Sequence, residues 1–130
     1  MKKINVVCGV IVKDNKYLIT QRGDSKNINK WEFPGGKVDG DESPEQALIR
    51  ELKEELNLNC SDLEFYCETG VSFLDKRIVL LTYLVNDFAG DMIQAVHADL
   101  KWVALTELVK YTFLTADIPV VEKLQAAFKT

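Results

Sequence analysis

The chain has only three cysteines, Cys8, Cys60 and Cys67, an odd number without the spacing of a metal site. That argues against a disulfide framework or a zinc ribbon and predicts buried thiols in a cytoplasmic protein. An excess of positive charge is also missing, since 16 basic side chains face 20 acidic ones, for a net charge of -4. Nucleic-acid binders carry a basic face, so no nucleic-acid partner is expected. Long apolar runs are absent as well. The run that follows Lys2 and Lys3 is short, meets Lys13, and has no small-residue cleavage site, which predicts neither a secretory signal nor a membrane segment. Repeats and low-complexity tracts are lacking. What remains is globular composition, 47% hydrophobic and 28% charged, at a length that suits a single domain over residues 1–130.

The most informative stretch runs from Trp31 to Leu58, WEFPGGKVDGDESPEQALIRELKEELNL. A Pro-Gly-Gly turn leads to a second Gly-Asp turn and then to a helix start. Ser43 suits the N-cap, Pro44 the first helical position, and Gln46 the far side of a capping box. At about 100° per residue, Leu48, Ile49, Leu52 and Leu56 share one side of this helix, and Glu51, Glu54 and Glu55 occupy a sector beside it. Glu51 meets Glu54 at i+3 and Glu55 at i+4, like-charge neighbours that weaken an isolated helix. Something cationic should offset that repulsion. Hard divalent cations take carboxylate and carbonyl oxygens, so three glutamates near a Gly-Gly turn suggest a metal site; a charged solvent face is the plainer alternative.

The same residues resemble the Nudix box, G-x5-E-x7-R-E-U-x-E-E-x-G-U with U aliphatic. Gly36, Glu42, Arg50, Glu51, Leu52, Glu54, Glu55 and Leu58 match it, and only Asn57 departs, where the box has Gly. Asn tolerates the left-handed conformation needed just past a helix end, so the turn should survive. The WEFPGG form is similar to MutT-type members. The resemblance implies the α/β/α sandwich of that family, a mixed sheet between helices.

Along the rest of the chain, Ile4 to Val12 is rich in β-branched residues and reads with Tyr17 to Arg22 as a hairpin around Lys13–Lys16. The first strand has little alternation, which predicts burial on both faces. Leu63–Glu68 and Arg77–Val85 read as strands joined by a turn at Asp75–Lys76, Leu100–Val103 as a short strand, and the segment after Asp117 as a terminal helix.

The resemblance further implies a Mg²⁺-dependent nucleoside triphosphate pyrophosphohydrolase, with Mn²⁺ as a possible substitute. Metal would lie on Glu51, Glu54, Glu55 and the carbonyl of Gly35. Arg50 would orient a glutamate, and Glu51 or Glu54 would help activate water. Arg22, Lys37 and Lys76 match phosphate- or sugar-contacting positions, and Phe33 is placed at the base pocket or in the core. Asp117 falls in the stretch that reads the base. A carboxylate there accepts from cytosine N4 or from guanine N1 and N2, or else caps the terminal helix. The substrate would be a small nucleotide, 8-oxo-dGTP or (d)CTP/5-methyl-dCTP, in nucleotide pool sanitation, with the protein a monomer or homodimer. Where many relatives carry a loop glutamate, this chain has Val96, leaving His97 or Asp99 as substitutes. A nucleoside diphosphate derivative such as ADP-ribose or a dinucleoside polyphosphate is the alternative substrate, and a catalytically silent ligand-sensing domain the alternative class.

Overall fold

The computed structural model describes residues 2–21, 29–93 and 99–127. In chain order it holds strands β1 (Lys2–Val10), β2 (Val12–Lys13), β3 (Lys16–Gln21), β4 (Trp31–Glu32) and β5 (Gly35–Lys37), then helix α1 (Pro44–Leu56). Strands β6 (Asn59–Phe73), β7 (Lys76–Ala89) and β8 (Asp99–Ala104) follow, then two 3₁₀ turns at Leu105–Lys110 and Thr115–Asp117, and helix α2 (Ile118–Ala126).

The strands form two sheets, one ordered β5-β1-β7-β6 and one in which β3 pairs with β2, β4 and β8. β1 runs parallel to β7, while its other neighbour β5 is antiparallel, so the larger sheet is mixed. Alternate side chains feed two cores. Val7, Ile11, Leu18, Tyr83 and Val85 pack with Ala47, Leu48, Leu52 and Leu56 of α1. Cys8, Val10, Tyr17, Ile19 and Leu80 pack with Val120, Val121 and Leu124 of α2. Burial of β1 on both faces from Val7 onward explains why its sequence lacks alternation. The result is the α/β/α sandwich, with sheet between helices.

Helix α1 begins as its sequence directs. The Ser43 hydroxyl accepts from the Gln46 N–H at 3.1 Å, and Gln46 Oε1 accepts from the Ser43 N–H at 2.9 Å. It ends on Asn57 at φ 59°, ψ 31°, the left-handed turn that Gly would otherwise supply. The Asn57 side chain adds something Gly cannot, since its amide donates to the Asp91 carbonyl and its oxygen accepts from Lys53 Nζ, both at 3.0 Å.

Three local expectations need correction. Ile49 does not join the buried stripe but is 40% exposed, and Ala47 takes its place, because the stripe is centred between Leu48 and Leu52. The first hairpin is far shorter than Ile4–Val12 with Tyr17–Arg22: only β2 pairs with β3, and β1 leaves for the other sheet, where β7 and β5 cover both its edges. The turn between β6 and β7 is Leu74–Asp75, with Leu74 at positive φ, and Lys76 already belongs to β7. Among the described residues no helix is long and apolar enough to cross a membrane.

Candidate active site

The Pro34-Gly35-Gly36 turn is laid against β1 by the Gly9 N–H, which donates to the Pro34 carbonyl at 2.9 Å, and by pairing of β5 with Val6 to Cys8. Gly35 is sterically required by the backbone it rests on, whereas at Gly36 a side chain would displace the Glu51 carboxylate. A Cβ on Gly35 would lie 1.9 Å from the Val7 carbonyl oxygen, and one on Gly36 would lie 2.4 Å from the carboxylate carbon of Glu51. The bare backbone thus leaves room for a carboxylate to rest on it.

Arg50 organises the acids. Its Nε and Nη2 donate to Glu42 at 2.7 and 2.9 Å, its Nη1 to Glu51 at 3.0 Å and Glu54 at 3.3 Å, and its Nη2 also to the Lys37 carbonyl at 3.1 Å. Asp39 lies 3.3 Å from the same guanidinium. The repulsion read from the glutamate spacing is therefore offset in good part by this one cation, and the i+4 partner Glu54 is its weaker contact. The Arg50 fork and the Asp39 N–H pull the Glu42 carboxyl down to about 2. Burial pushes the Glu51 carboxyl up, against the opposing pull of Arg50.

A cavity of about 620 Å³ opens beside this network. Gly35, Gly36, Lys37, Glu51 and Glu55 line it together with Phe33, Asp117, Cys8 and Lys76. Asp117, only 4% exposed, does not cap α2 with its side chain; its Oδ2 accepts from the Phe33 N–H at 2.9 Å. The capping alternative is thereby overturned, because the buried backbone N–H of Phe33 is the better-placed donor. Behind it, Cys8 Sγ lies 3.3 Å from Thr82 Oγ1, and burial, with the charge of Asp117 adding to it, raises the thiol well above its ordinary value.

Of the residues singled out from sequence, Glu51, Glu55, Gly35, Lys37, Phe33, Lys76 and Asp117 share the cavity. Glu54 stands outside the lining, 60% exposed, on Arg50. Asp99 opens β8 and accepts from the Leu100 N–H at 2.7 Å, away from the lining. Arg22, Val96 and His97 lie outside the described residues. Sequence reasoning passed over Glu32 and the apolar floor of Ile4, Ile78 and Leu80. Strand alternation was the available signal, since Glu32 precedes a buried Phe33, Ile78 and Leu80 stand two apart, and Ile4 stands two from Val6.

Among the described residues no three acidic, cysteine or histidine side chains form a closed cation cage. An open set of hard oxygens still fits Mg²⁺, which usually keeps several waters and takes one or two carboxylates together with substrate phosphates. Glu51, Glu55 and the glycine backbone provide such a set on one wall of the cavity.

A NUDIX domain model matches residues 1–124. The chain is 39% identical over 127 residues to the CTP pyrophosphohydrolase of Escherichia coli (strain K12), across 97% of this chain and 94% of that protein. It is 35% identical over 127 residues to the 8-oxo-dGTP diphosphatase of the same organism, across 96% and 98%. The crystal structure of MutT NUDIX hydrolase from Burkholderia pseudomallei shares the fold with a TM-score of 0.87 at 26% identity, covering 95% of this chain and 99% of that one. Box, fold and near full-length relatives agree, and the chain belongs to the NUDIX family as a hydrolase of the MutT-type branch.

Proposed function

We propose that this hydrolase converts a nucleoside triphosphate and water to the monophosphate and pyrophosphate, with Mg²⁺ as cofactor. The substrates are 8-oxo-dGTP or a cytosine nucleotide, (d)CTP or 5-methyl-dCTP, and the role is nucleotide pool sanitation. The observation that carries this reading is the placement of Glu51 and Glu55 on the same cavity as the buried carboxylate of Asp117. One group suits a polyphosphate bridged by metal; the other suits a base with an amino group.

Glu51, Glu55 and the Gly35 carbonyl would hold the cation, with Glu54 joining them by leaving its contact with Arg50; the cation when bound neutralises phosphate charge and lowers the pKa of attacking water. Arg50 fixes Glu51 from one side through the 3.0 Å hydrogen bond, and Gly36 leaves the space on the other. Glu51, resting against the glycine turn, is the carboxylate placed to take a proton from water. Lys37 and Lys76 add positive charge at the walls.

At the base end, Oδ2 of Asp117 is held by the Phe33 N–H, which orients a carboxylate acceptor in a dry environment. Cytosine N4 offers a donor to it, and guanine N1 and N2 do too. Thymine and uracil present carbonyl acceptors at the matching edge and should be poor substrates. The test is a panel of normal, oxidised and methylated (d)NTPs assayed for pyrophosphate with and without Mg²⁺. Release of two organic phosphates without pyrophosphate would instead point to a nucleoside diphosphate derivative.

A further inference from the structure

Helix α1 ends against a loop that belongs to another part of the fold. After β7 the chain bends at Gly90 and crosses the last turn of the helix, where the Ile93 N–H donates to the Leu56 carbonyl at 2.9 Å and the Asp91 carbonyl accepts from the Asn57 amide at 3.0 Å. The Leu56 carbonyl is one of those that a helix leaves without a partner of its own, so the loop completes the helix end. Gly90 allows the approach. A Cβ there would lie 2.7 Å from the Asn57 carbonyl oxygen, and its φ of +117° is one that L side chains rarely adopt.

The side chain at the cap is matched to both of its neighbours. On one side Lys53 Nζ, which can only donate, lies 3.0 Å from Asn57 Oδ1; on the other a backbone carbonyl, which can only accept, faces Nδ2. An amide answers both. Glycine would keep the left-handed cap at φ 59° and lose the two side-chain bonds, whereas aspartate would keep the bond from Lys53 and turn a second acceptor toward the Asp91 carbonyl. Glu54 and Glu55 stand in the turn that is clasped in this way. Helix ends fray, and an acid on a fraying turn has no fixed place.

We infer that Asn57 is a positioning residue: through Asp91 it latches the loop after β7 onto α1 and so holds the final turn, with Glu54 and Glu55, at the cation site. Its departure from the glycine of the box adds a fastening while the turn is kept. The inference rests on the proposed role of those glutamates toward a divalent ion, and the latch itself belongs to the chain with neither metal nor nucleotide bound.

The experiment uses the full chain without nucleotide and reads three quantities in wild type, N57G, N57D and K53M: exchange of the Ile93 amide by NMR, Mn²⁺ affinity by relaxation of water protons, and the urea midpoint. In N57G and N57D the Ile93 amide should exchange about fivefold faster or more, the worth of one hydrogen bond. Mn²⁺ binding should weaken by about threefold or more in both, less than the roughly 10-fold cost of losing a partner bonded directly to a ligand. The urea midpoint of N57G should stay close to that of wild type, because glycine suits the left-handed cap. K53M keeps the bond to Asp91 and should match wild type in exchange and in Mn²⁺ affinity. Unchanged exchange in N57G overturns the inference, and so does faster exchange with unchanged Mn²⁺ affinity. Losses that track a lowered urea midpoint across N57G and N57D overturn it too, since the cap would then serve the fold alone, as would effects in K53M as large as those in N57G. A protein that shows both losses and hydrolyses no triphosphate would fault the proposed reaction and leave the latch standing.

Discussion

Arg50 holds Glu42 through two hydrogen bonds, Nε to Oε2 at 2.7 Å and Nη2 to Oε1 at 2.9 Å, across eight residues of chain. This fork joins the loop that leaves the glycine turn to the helix that carries the acids. Because Nη1 of the same guanidinium reaches Glu51 and Glu54, the geometry of the fork sets where the glutamates stand.

The fork should be visible in stability against pH. Glu42 is held at about 2, below its ordinary 4.5. A depressed carboxyl stabilises the fold fully above its unfolded pKa, and that contribution is lost as pH falls from about 4.5 through 2. The difference in Tm between wild type and E42Q should be present at pH 6 and shrink across that window. A difference that stays constant down to pH 2 would show that the pair does not titrate this way.

Arg50→Lys retains the charge but loses the fork, since an ammonium cannot make parallel hydrogen bonds to a carboxylate. We expect kcat to fall by roughly 10-fold or more while KM changes little, because the substitution misplaces acids rather than removing a substrate contact. Steady-state kinetics on the preferred nucleotide check this. A pure rise in KM would place Arg50 on the substrate instead.

Gly36→Ala puts a methyl group where the Glu51 carboxylate rests, at 2.4 Å. Since a displacement of about 1 Å can cost on the order of 10²-fold in rate, activity should drop by about that factor. The affinity for Mn²⁺, read by paramagnetic relaxation of water protons, should weaken together with the rate. Unchanged activity would mean Glu51 is not held where the chemistry needs it.

Leu52→Ala empties a fully buried position between α1 and the sheet. Unfolding in urea should show a loss of about 2–5 kcal/mol. Ile49→Ala, at the exposed edge of the same helix, should change stability by less than about 1 kcal/mol. Equal effects would contradict the placement of the apolar stripe.

Asp117→Asn exchanges an acceptor for an amide that can also donate. The ratio of kcat/KM for dCTP over dTTP should fall by about 10-fold or more, in line with about 1–3 kcal/mol of discrimination from one well-placed pair. Because the Phe33 N–H can still bond the amide oxygen, the variant should remain folded by circular dichroism. A ratio that does not move would take Asp117 out of base recognition.

Much of this was legible in the chain because its signals are local. Ser43, Pro44 and Gln46 fix where α1 starts, Asn57 fixes where it stops, and the acids follow from the 3.6-residue period. The partner of Arg50 was harder to read, since Glu54 is its i+4 neighbour but Glu42 is reached only after the loop folds back. The route of β1 was misread for the same reason. Its parallel pairing with β7 joins residues more than seventy positions apart, and no nearby turn residue announces it. The neighbours of Asp117 left a base-facing carboxylate and a helix cap both open, and its contact with Phe33 depends on the packing of two distant segments.

The central claim, that carboxylates of α1 hold a divalent ion against a nucleotide polyphosphate, is tested most directly by pyrophosphate release from dCTP and 8-oxo-dGTP across a Mg²⁺ titration, in wild type, E51Q and E55Q. The account predicts saturable dependence on Mg²⁺ in wild type and a rate lower by at least about 10³-fold in both variants, whose folds stay intact. Turnover that persists in EDTA, or variants as active as wild type, would contradict it.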